Sequence, residues 1–232
     1  MPTASVAVST ADFDFYKGKD MTERIIWDFN GTILDDVDTG IVSVNKLLAD
    51  RGLPLIESRE QYQQVFRFPI KGYYERIGFD FSVEPYEVIA PLWVEQYMIN
   101  VQRAGMFCDV TEALEYFKSR GIKQTVISAT EENMLRGQLR GLGIAEYFDE
   151  VLGLDNIHAG SKVGIALEWR SKHRDESAIF IGDTDHDAEV ARAIDALPML
   201  VCRGHQSREY LAELGVGIYD DLTSLIADNF RK

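Results

Sequence analysis

Only 2 of the 232 residues are cysteine, Cys108 and Cys202. They are too few for a disulfide framework and lack metal-ligand spacing, which excludes a disulfide-stapled scaffold and favours a reducing compartment. Basic residues are also short, with 24 Lys and Arg against 38 Asp and Glu and a formal net charge of -14. An acidic surface of this kind repels phosphate backbones and anionic bilayers, so neither nucleic acid nor membrane is expected as a partner. No apolar run approaches the length that spans a bilayer, and the first residues carry neither the basic region nor the apolar stretch of a signal peptide. A cytoplasmic location is the matching expectation. Internal repeats and low-complexity tracts are absent. Residues 1–20 mix small and polar side chains without a period and are expected to form a flexible tail, or an overextended start ahead of Met21.

What is present is ordinary in bulk, with 46% hydrophobic and 27% charged residues, as in a folded globular protein. A chain of this length fits one α/β domain carrying a substantial insertion. The run RIIWDF at 24–29, followed by Asn-Gly, predicts a buried strand and a tight turn that leaves Asp28 at the strand's carboxyl end. Apolar runs at 122–128, 178–182 and 198–202 predict further strands, each preceded by helical periodicity. Helices are predicted at 111–120, 131–142, 162–172 and 187–194. Strand alternating with helix implies a parallel, doubly wound sheet. Residues 38–106 break the alternation, reading as successive helices at 41–50, 60–66, 71–77 and 87–103. They are expected to form an α-helical cap, with 21–37 and 107–232 as the core.

Ligands of an open parallel sheet bind beyond the carboxyl ends of its strands. The predicted strands deliver Asp28 and Asn30, then Ser128, then Asp183 and Asp187, while Lys162 opens a helix. Oxygen ligands with no cysteine or histidine cluster suit a hard cation such as Mg²⁺. Asp28 and Asp183 are expected as direct ligands, the Asn30 main-chain carbonyl as a third, and Asp187 as a ligand or the orienter of a bound water. Lys162 and Ser128 would hold phosphoryl oxygens, leaving an Asp28 oxygen to attack phosphorus in line. Gly31 and Ala129, beside these groups, and Arg67 and Lys71 in the cap, are the expected substrate-binding residues. Tyr73, Tyr74, Tyr86 and Tyr97 read as packing residues on helix faces.

WDFNGTILDD at 27–36, VISAT at 126–130, Lys162 in AGSKVG and FIGDTDHD at 180–187 occur in an order that resembles the haloacid dehalogenase superfamily, and within it the phosphoglycolate-phosphatase-like branch. CRGHQSREYLAELG at 202–215 resembles that branch's stretch before its last strand. The resemblance implies a Rossmann-like core, a helical cap and Mg²⁺-dependent hydrolysis of a small phosphomonoester through an aspartyl-phosphate on Asp28. It implies a small phosphorylated metabolite as partner and a monomer or homodimer as assembly. One position departs from the pattern. Asn30 stands where the family's phosphatases carry an Asp that protonates the leaving group and activates water, and a carboxamide does neither near neutral pH. A slow or specialised phosphatase, one drawing its acid from Asp35, Asp36 or the cap, a phosphomutase, and a phosphate-binding regulatory protein all fit the sequence.

Overall fold

The computed structural model describes residues 22–155 and 161–231; the expected tail at 1–20 and the segment 156–160 leading to Lys162 lie outside the described residues. Six parallel strands, β1 Arg24–Trp27, β2 Lys123–Glu131, β3 Glu150–Leu154, β4 Ala178–Gly182, β5 Leu197–Val201 and β6 Gly217–Tyr219, form one sheet in the order β3-β2-β1-β4-β5-β6. β1 is buried along its whole length. Ile25 and Trp27 enter one apolar cluster and Ile26 another on the opposite face, which is why the strand reads as an unbroken apolar run rather than an alternating one.

Between β1 and β2 lie α1 Val37–Asp50, α2 Arg59–Val65, α3 Ile70–Arg76 and α4 Tyr86–Asn100. They form the helical cap and share a core around Leu48, Tyr62, Phe66, Tyr74 and Ile89, while Tyr97 of α4 joins a cluster of the sheet and Trp93 packs against both. An insertion with its own buried core keeps its shape while resting on the sheet's edge. The remaining helices are α5 Val110–Ser119, α6 Glu132–Gly141, α7 Val163–Lys172, α8 Asp185–Ala193, α9 Arg208–Ala212 and α10 Leu222–Asn229. α5, α6 and α10 cover one face of the sheet, and α7 and α8 the other. The result is a Rossmann-like, doubly wound α/β core with an α-helical cap. Among the described residues, no helix is long and apolar enough to cross a membrane.

Two strands went unread in the sequence by position, β3 and β6. β3 (EVLGL) is short, starts with an acid and contains Gly153. That glycine is needed, because a Cβ there would stand 2.6 Å from both the Thr130 carbonyl oxygen and the Glu132 Cα. β2 runs to Glu131 rather than stopping near Ser128, since after an irregularity its last residue pairs with Leu154. The long cap helix ends at Asn100 and closes in a single 3₁₀ turn, Val101–Arg103.

At the edge of the sheet away from the strands' carboxyl ends, the buried Arg24 donates to Glu176 Oε2 at 2.7 Å, Thr125 Oγ1 at 2.7 Å and Glu150 Oε1 at 3.0 Å. One guanidinium thus ties β1 to β2, to β3 and to the loop entering β4. Burial raises the pKa of Glu176, but hydrogen bonds from Arg24, Lys123 and His173 outweigh it and bring it from 4.5 to about 2. A carboxylate with a depressed native pKa contributes stability that is complete above its unfolded value and lost as pH falls toward the native one. Arg24→Leu is therefore expected to destabilise by about 2 kcal/mol at neutral pH, less than a fully buried pair because both glutamates keep solvent access. In urea unfolding, the gap between wild type and variant should narrow as pH falls from 4.5 toward about 2.

Candidate active site

β1 and β4 are neighbours at the point where strand order reverses, and the Asp28 amide continues their pairing by donating to the Ile181 carbonyl at 2.8 Å. Asp28 and Asp183 therefore leave adjacent strands side by side. Asp187 arrives one turn into α8. Thr184 caps that helix, and Asp187 closes the capping box: its Oδ2 accepts from the Asp183 amide at 3.0 Å, the Thr184 amide at 2.9 Å and Thr184 Oγ1 at 2.7 Å. A local helix-start signal thereby aims the other oxygen, Oδ1, at Lys162 Nζ, 2.6 Å away. Lys162 also donates to Asp28 Oδ1. Lysine at a helix start opposes the helix dipole, and these two carboxylates supply the compensation.

Asp28, Asp183 and Asp187 place one carboxylate oxygen each within 4.8 Å of one another, all buried. Burial pushes the Asp28 pKa well up; Lys162 pulls it back, while Asp187 and Asp183 add to the rise. Burial also raises Asp183, to about 7, against the opposing His205 and with help from Asp187. For Asp187 burial again acts upward, but Lys162 outweighs it and the carboxyl is held below its usual range. One ammonium against three buried carboxylates leaves negative charge uncompensated. That deficit and the all-oxygen donor set fit a hard divalent cation.

Asp183 is held by its neighbours. Its Oδ1 accepts from Thr32 Oγ1 at 2.9 Å and its Oδ2 from the His205 amide at 2.7 Å. Gly31, with φ 74°, and Gly204 close over it: a Cβ on Gly31 would lie 2.3 Å, and one on Gly204 2.2 Å, from Asp183 Oδ2. Glycine is required at both places because any larger residue occupies the carboxylate's space. Gly31 was expected to line the substrate, and its visible task is this close approach.

The other expected site residues divide. Ser128 is buried and its Oγ accepts from the Thr130 amide at 3.1 Å, a local turn bond, while Ala129 beside it is half-buried. Arg67 stands with its guanidinium 3.5 Å from the centre of the Tyr210 ring and donates to the Gln63 carbonyl at 2.8 Å. Lys71 is exposed, with Nζ 5.3 Å from the centre of the Phe81 ring inside the cap. The structure does not bring Arg67 or Lys71 to the carboxylates by any of these contacts.

Asn30 lies in a hydrogen-bonded cluster that sequence reasoning did not assemble. Its Nδ2 donates to Asp36 Oδ2 at 2.8 Å and to Tyr97 Oη at 2.6 Å, and its Oδ1 accepts from Thr130 Oγ1 at 2.8 Å. Tyr97 Oη donates to Asp36 Oδ2 at 2.7 Å, and Asp36 Oδ1 accepts from the Gly31 amide at 2.8 Å. His205 Nε2 stands 3.3 Å from Asp36 Oδ1, and Nδ1 is 2.9 Å from Tyr62 Oη of the cap. Burial would lower His205, but Asp36 overcomes it and the imidazole rises to about 9. Burial likewise raises Asp36, yet His205, Tyr97 and Asn30 hold it below the usual carboxylate range. Tyr97, read as a packing residue, is buried and polar-bonded at once. Gln63 Nε2 adds a direct bond from the cap to the Gly204 carbonyl at 2.7 Å.

A cap-covered α/β enzyme whose site is built from buried carboxylates and one lysine is thus the class that fold and site define. The chain belongs to the haloacid dehalogenase-like hydrolase family, whose sequence profile matches residues 25–201, and within it to the phosphoglycolate-phosphatase-like branch. It is similar to phosphoglycolate phosphatase 1 of Pseudomonas aeruginosa, 24% identical over 217 residues covering 89% of this chain and 76% of that protein. It is also similar to phosphoglycolate phosphatase of Nitrosococcus oceani, 25% identical over 223 residues covering 89% and 92%. Among solved structures, a haloacid dehalogenase-like family protein of Streptococcus pneumoniae superposes with a TM-score of 0.74 at 18% identity, covering 89% of this chain and 97% of that one. Protein Tyrosine Kinase A of Mycobacterium tuberculosis gives a TM-score of 0.74 at 21% identity, covering 90% and 98%. These two likenesses show the fold alone, and a single fold carries more than one chemistry.

The clamp on Asp183 has a direct test. Gly204→Ala places a methyl group on Asp183 Oδ2 and near the Gly31 carbonyl, and is expected to destabilise by about 1–3 kcal/mol, the range for an overpacked buried site. Gly105→Ala, whose new Cβ has nothing within 4 Å, is the control, and denaturant unfolding of both variants is the measurement.

Proposed function

We propose that the protein is a Mg²⁺-dependent phosphohydrolase acting on a small phosphomonoester through an aspartyl-phosphate on Asp28. The observation that carries this reading is the buried triad of Asp28, Asp183 and Asp187 sharing one lysine at the switch point of the sheet. Asp28, Asp183 and the Asn30 main-chain carbonyl would hold the cation, with Asp187 as a further ligand or the acceptor that orients a bound water. When bound, the cation neutralises charge on the phosphoryl oxygens and on the triad.

Asp28 is the nucleophile in this reading. Its Oδ1 is tied to Lys162, which leaves the other carboxylate oxygen to meet phosphorus. Lys162 then serves twice: it keeps Asp187 ionised and opposes proton uptake by Asp28 in a buried place, and it offers a cation to incoming phosphoryl oxygens. The sheet supplies rigid backbone for Asp28 and Asp183, and the cap excludes bulk water by closing over the loop at 204–210 through Tyr62, Gln63 and Arg67. The named relatives favour phosphoglycolate-like acids as the substrate class.

Phosphate release from phosphoglycolate is expected to need Mg²⁺ and to stop on chelation, returning when the metal is restored. Asp28→Asn should abolish it, and Lys162→Met should lower it by about 10²- to 10³-fold, as for removal of one preorganised electrostatic group. Unchanged activity in Asp28→Asn, or indifference to chelation, would falsify the reading.

A further inference from the structure

The cluster around Asn30 is matched to a carboxamide, since only that side chain of this shape makes all three of its hydrogen bonds at once. The amide's two N–H groups face acceptors, Asp36 Oδ2 and Tyr97 Oη, and its oxygen faces the Thr130 hydroxyl. Flipping the amide would put its oxygen against the Asp36 carboxylate, so Asp36 sets the orientation. Tyr97 has one proton and gives it to Asp36, so toward residue 30 it is an acceptor only. A carboxylate at 30 would face a carboxylate at hydrogen-bond distance, with the single Tyr97 proton to serve only one of the two. The chain therefore does more than lack an acid at this position: three elements, the loop after β1, the end of β2 and cap helix α4, are matched to its absence.

The side chains nearest in chemistry to the missing acid are engaged. Asp36 accepts at both oxygens, from Asn30 and Tyr97 on one and from Gly31 on the other, where His205 also stands. Asp35 is bound to Arg59 Nη2 at 2.9 Å. Both ring nitrogens of His205 are occupied, by Asp36 and Tyr62. His186 is turned to Glu189 at 3.0 Å and Ser161 at 3.4 Å, with Phe68 against its ring.

Resting on the aspartyl-phosphate reading above, we propose that Asn30 and Asp36 are a matched pair, positioned by Tyr97 and Thr130, that keeps the place beside the nucleophile neutral and selects acyl phosphates as phosphoryl donors. An acyl phosphate gives up its phosphoryl group without a proton. The Asp28 oxygen bonds to phosphorus, the bond from phosphorus to the donor's carboxyl oxygen breaks, and the donor leaves as a carboxylate with the electron pair. Donor and product are both carboxylic–phosphoric anhydrides, so the exchange has little uphill component. An alkyl phosphate would have to expel an alkoxide, and no side chain in this cluster protonates one. The second step, water adding to phosphorus and Asp28 leaving as a carboxylate with dihydrogen phosphate as product, proceeds without a side-chain base. Phosphorylated Asp28 consequently persists.

The test compares acetyl phosphate with phosphoglycolate on the wild type, Asn30→Asp, Asp36→Asn and the double variant, in the presence of Mg²⁺, with intact-protein mass reporting phosphorylation of Asp28. With acetyl phosphate the wild type is expected to show a burst near one equivalent and a persistent phosphoenzyme, and with phosphoglycolate a transfer slower by about 10²-fold or more. Asn30→Asp alone should gain little, because the new carboxylate faces Asp36. The double variant moves the carboxylate one hydrogen bond along while conserving the cluster's charge. It should gain about 10²-fold on phosphoglycolate over Asn30→Asp and lose the burst. Full gain in Asn30→Asp with nothing added by Asp36→Asn overturns the matched pair, as do equal wild-type rates on both donors without accumulation. Should Asn30→Asp fail to fold, recovery of the fold in the double variant is the result expected of a matched pair, and its absence counts against one. No label from either donor, with Asp28→Asn indistinguishable from wild type, overturns the aspartyl-phosphate reading itself.

Discussion

Three carboxylates buried around one ammonium are the arrangement on which the rest of this structure depends. Isolated charges in such a place would be neutralised by proton uptake, and burial does drive Asp28 and Asp183 in that direction. Lys162 restrains the tendency for Asp28 and reverses it for Asp187. Everything nearby serves to keep the acids in place: the capping box of α8 fixes Asp187, Thr32 and the His205 amide fix Asp183, and Gly31 and Gly204 leave room for it. A parallel sheet is the natural support, since its strands end together and carry their carboxyl-terminal residues to one edge.

The two ends of the sheet make different use of buried charge. At the amino-terminal edge Arg24 and Lys123 meet Glu150 and Glu176, which keep some access to solvent, so two cations face two carboxylates. At the opposite edge acids outnumber the lysine. Surplus charge of one sign in a buried place marks a position where a cation or a reacting group belongs, whereas a closed network marks stability. This contrast, more than the acidity of the surface, distinguishes the ion pairs at the two ends of the sheet.

Cap and core meet through polar contacts at the site and through α4, whose Tyr97 sits in the sheet's apolar cluster and whose Trp93 packs against both clusters. Tyr62 reaches His205, Gln63 reaches the Gly204 carbonyl, Arg67 stacks on Tyr210, and Tyr97 joins Asn30 to Asp36. Most of the cap's buried apolar side chains nonetheless gather in one cluster.

Much of this was legible in the sequence because it is local. The apolar run before Asp28, the helical reading of 38–106 and the acids of FIGDTDHD depend on residues near one another in the chain, and periodicity with strand-end chemistry reports such features directly. β3 was not legible, because its glycine is required by the backbone of β2, which is distant in sequence. Nor was the use made of Asn30. The sequence by itself determined that a carboxamide stands two residues after Asp28, and so that an acid is missing. Only the tertiary structure decided what surrounds it, by bringing Asp36, Tyr97 and Thr130, 6, 67 and 100 residues away along the chain, to one amide group. Hydrogen-bond polarity is a property of the assembled cluster, and no single residue's identity carries it.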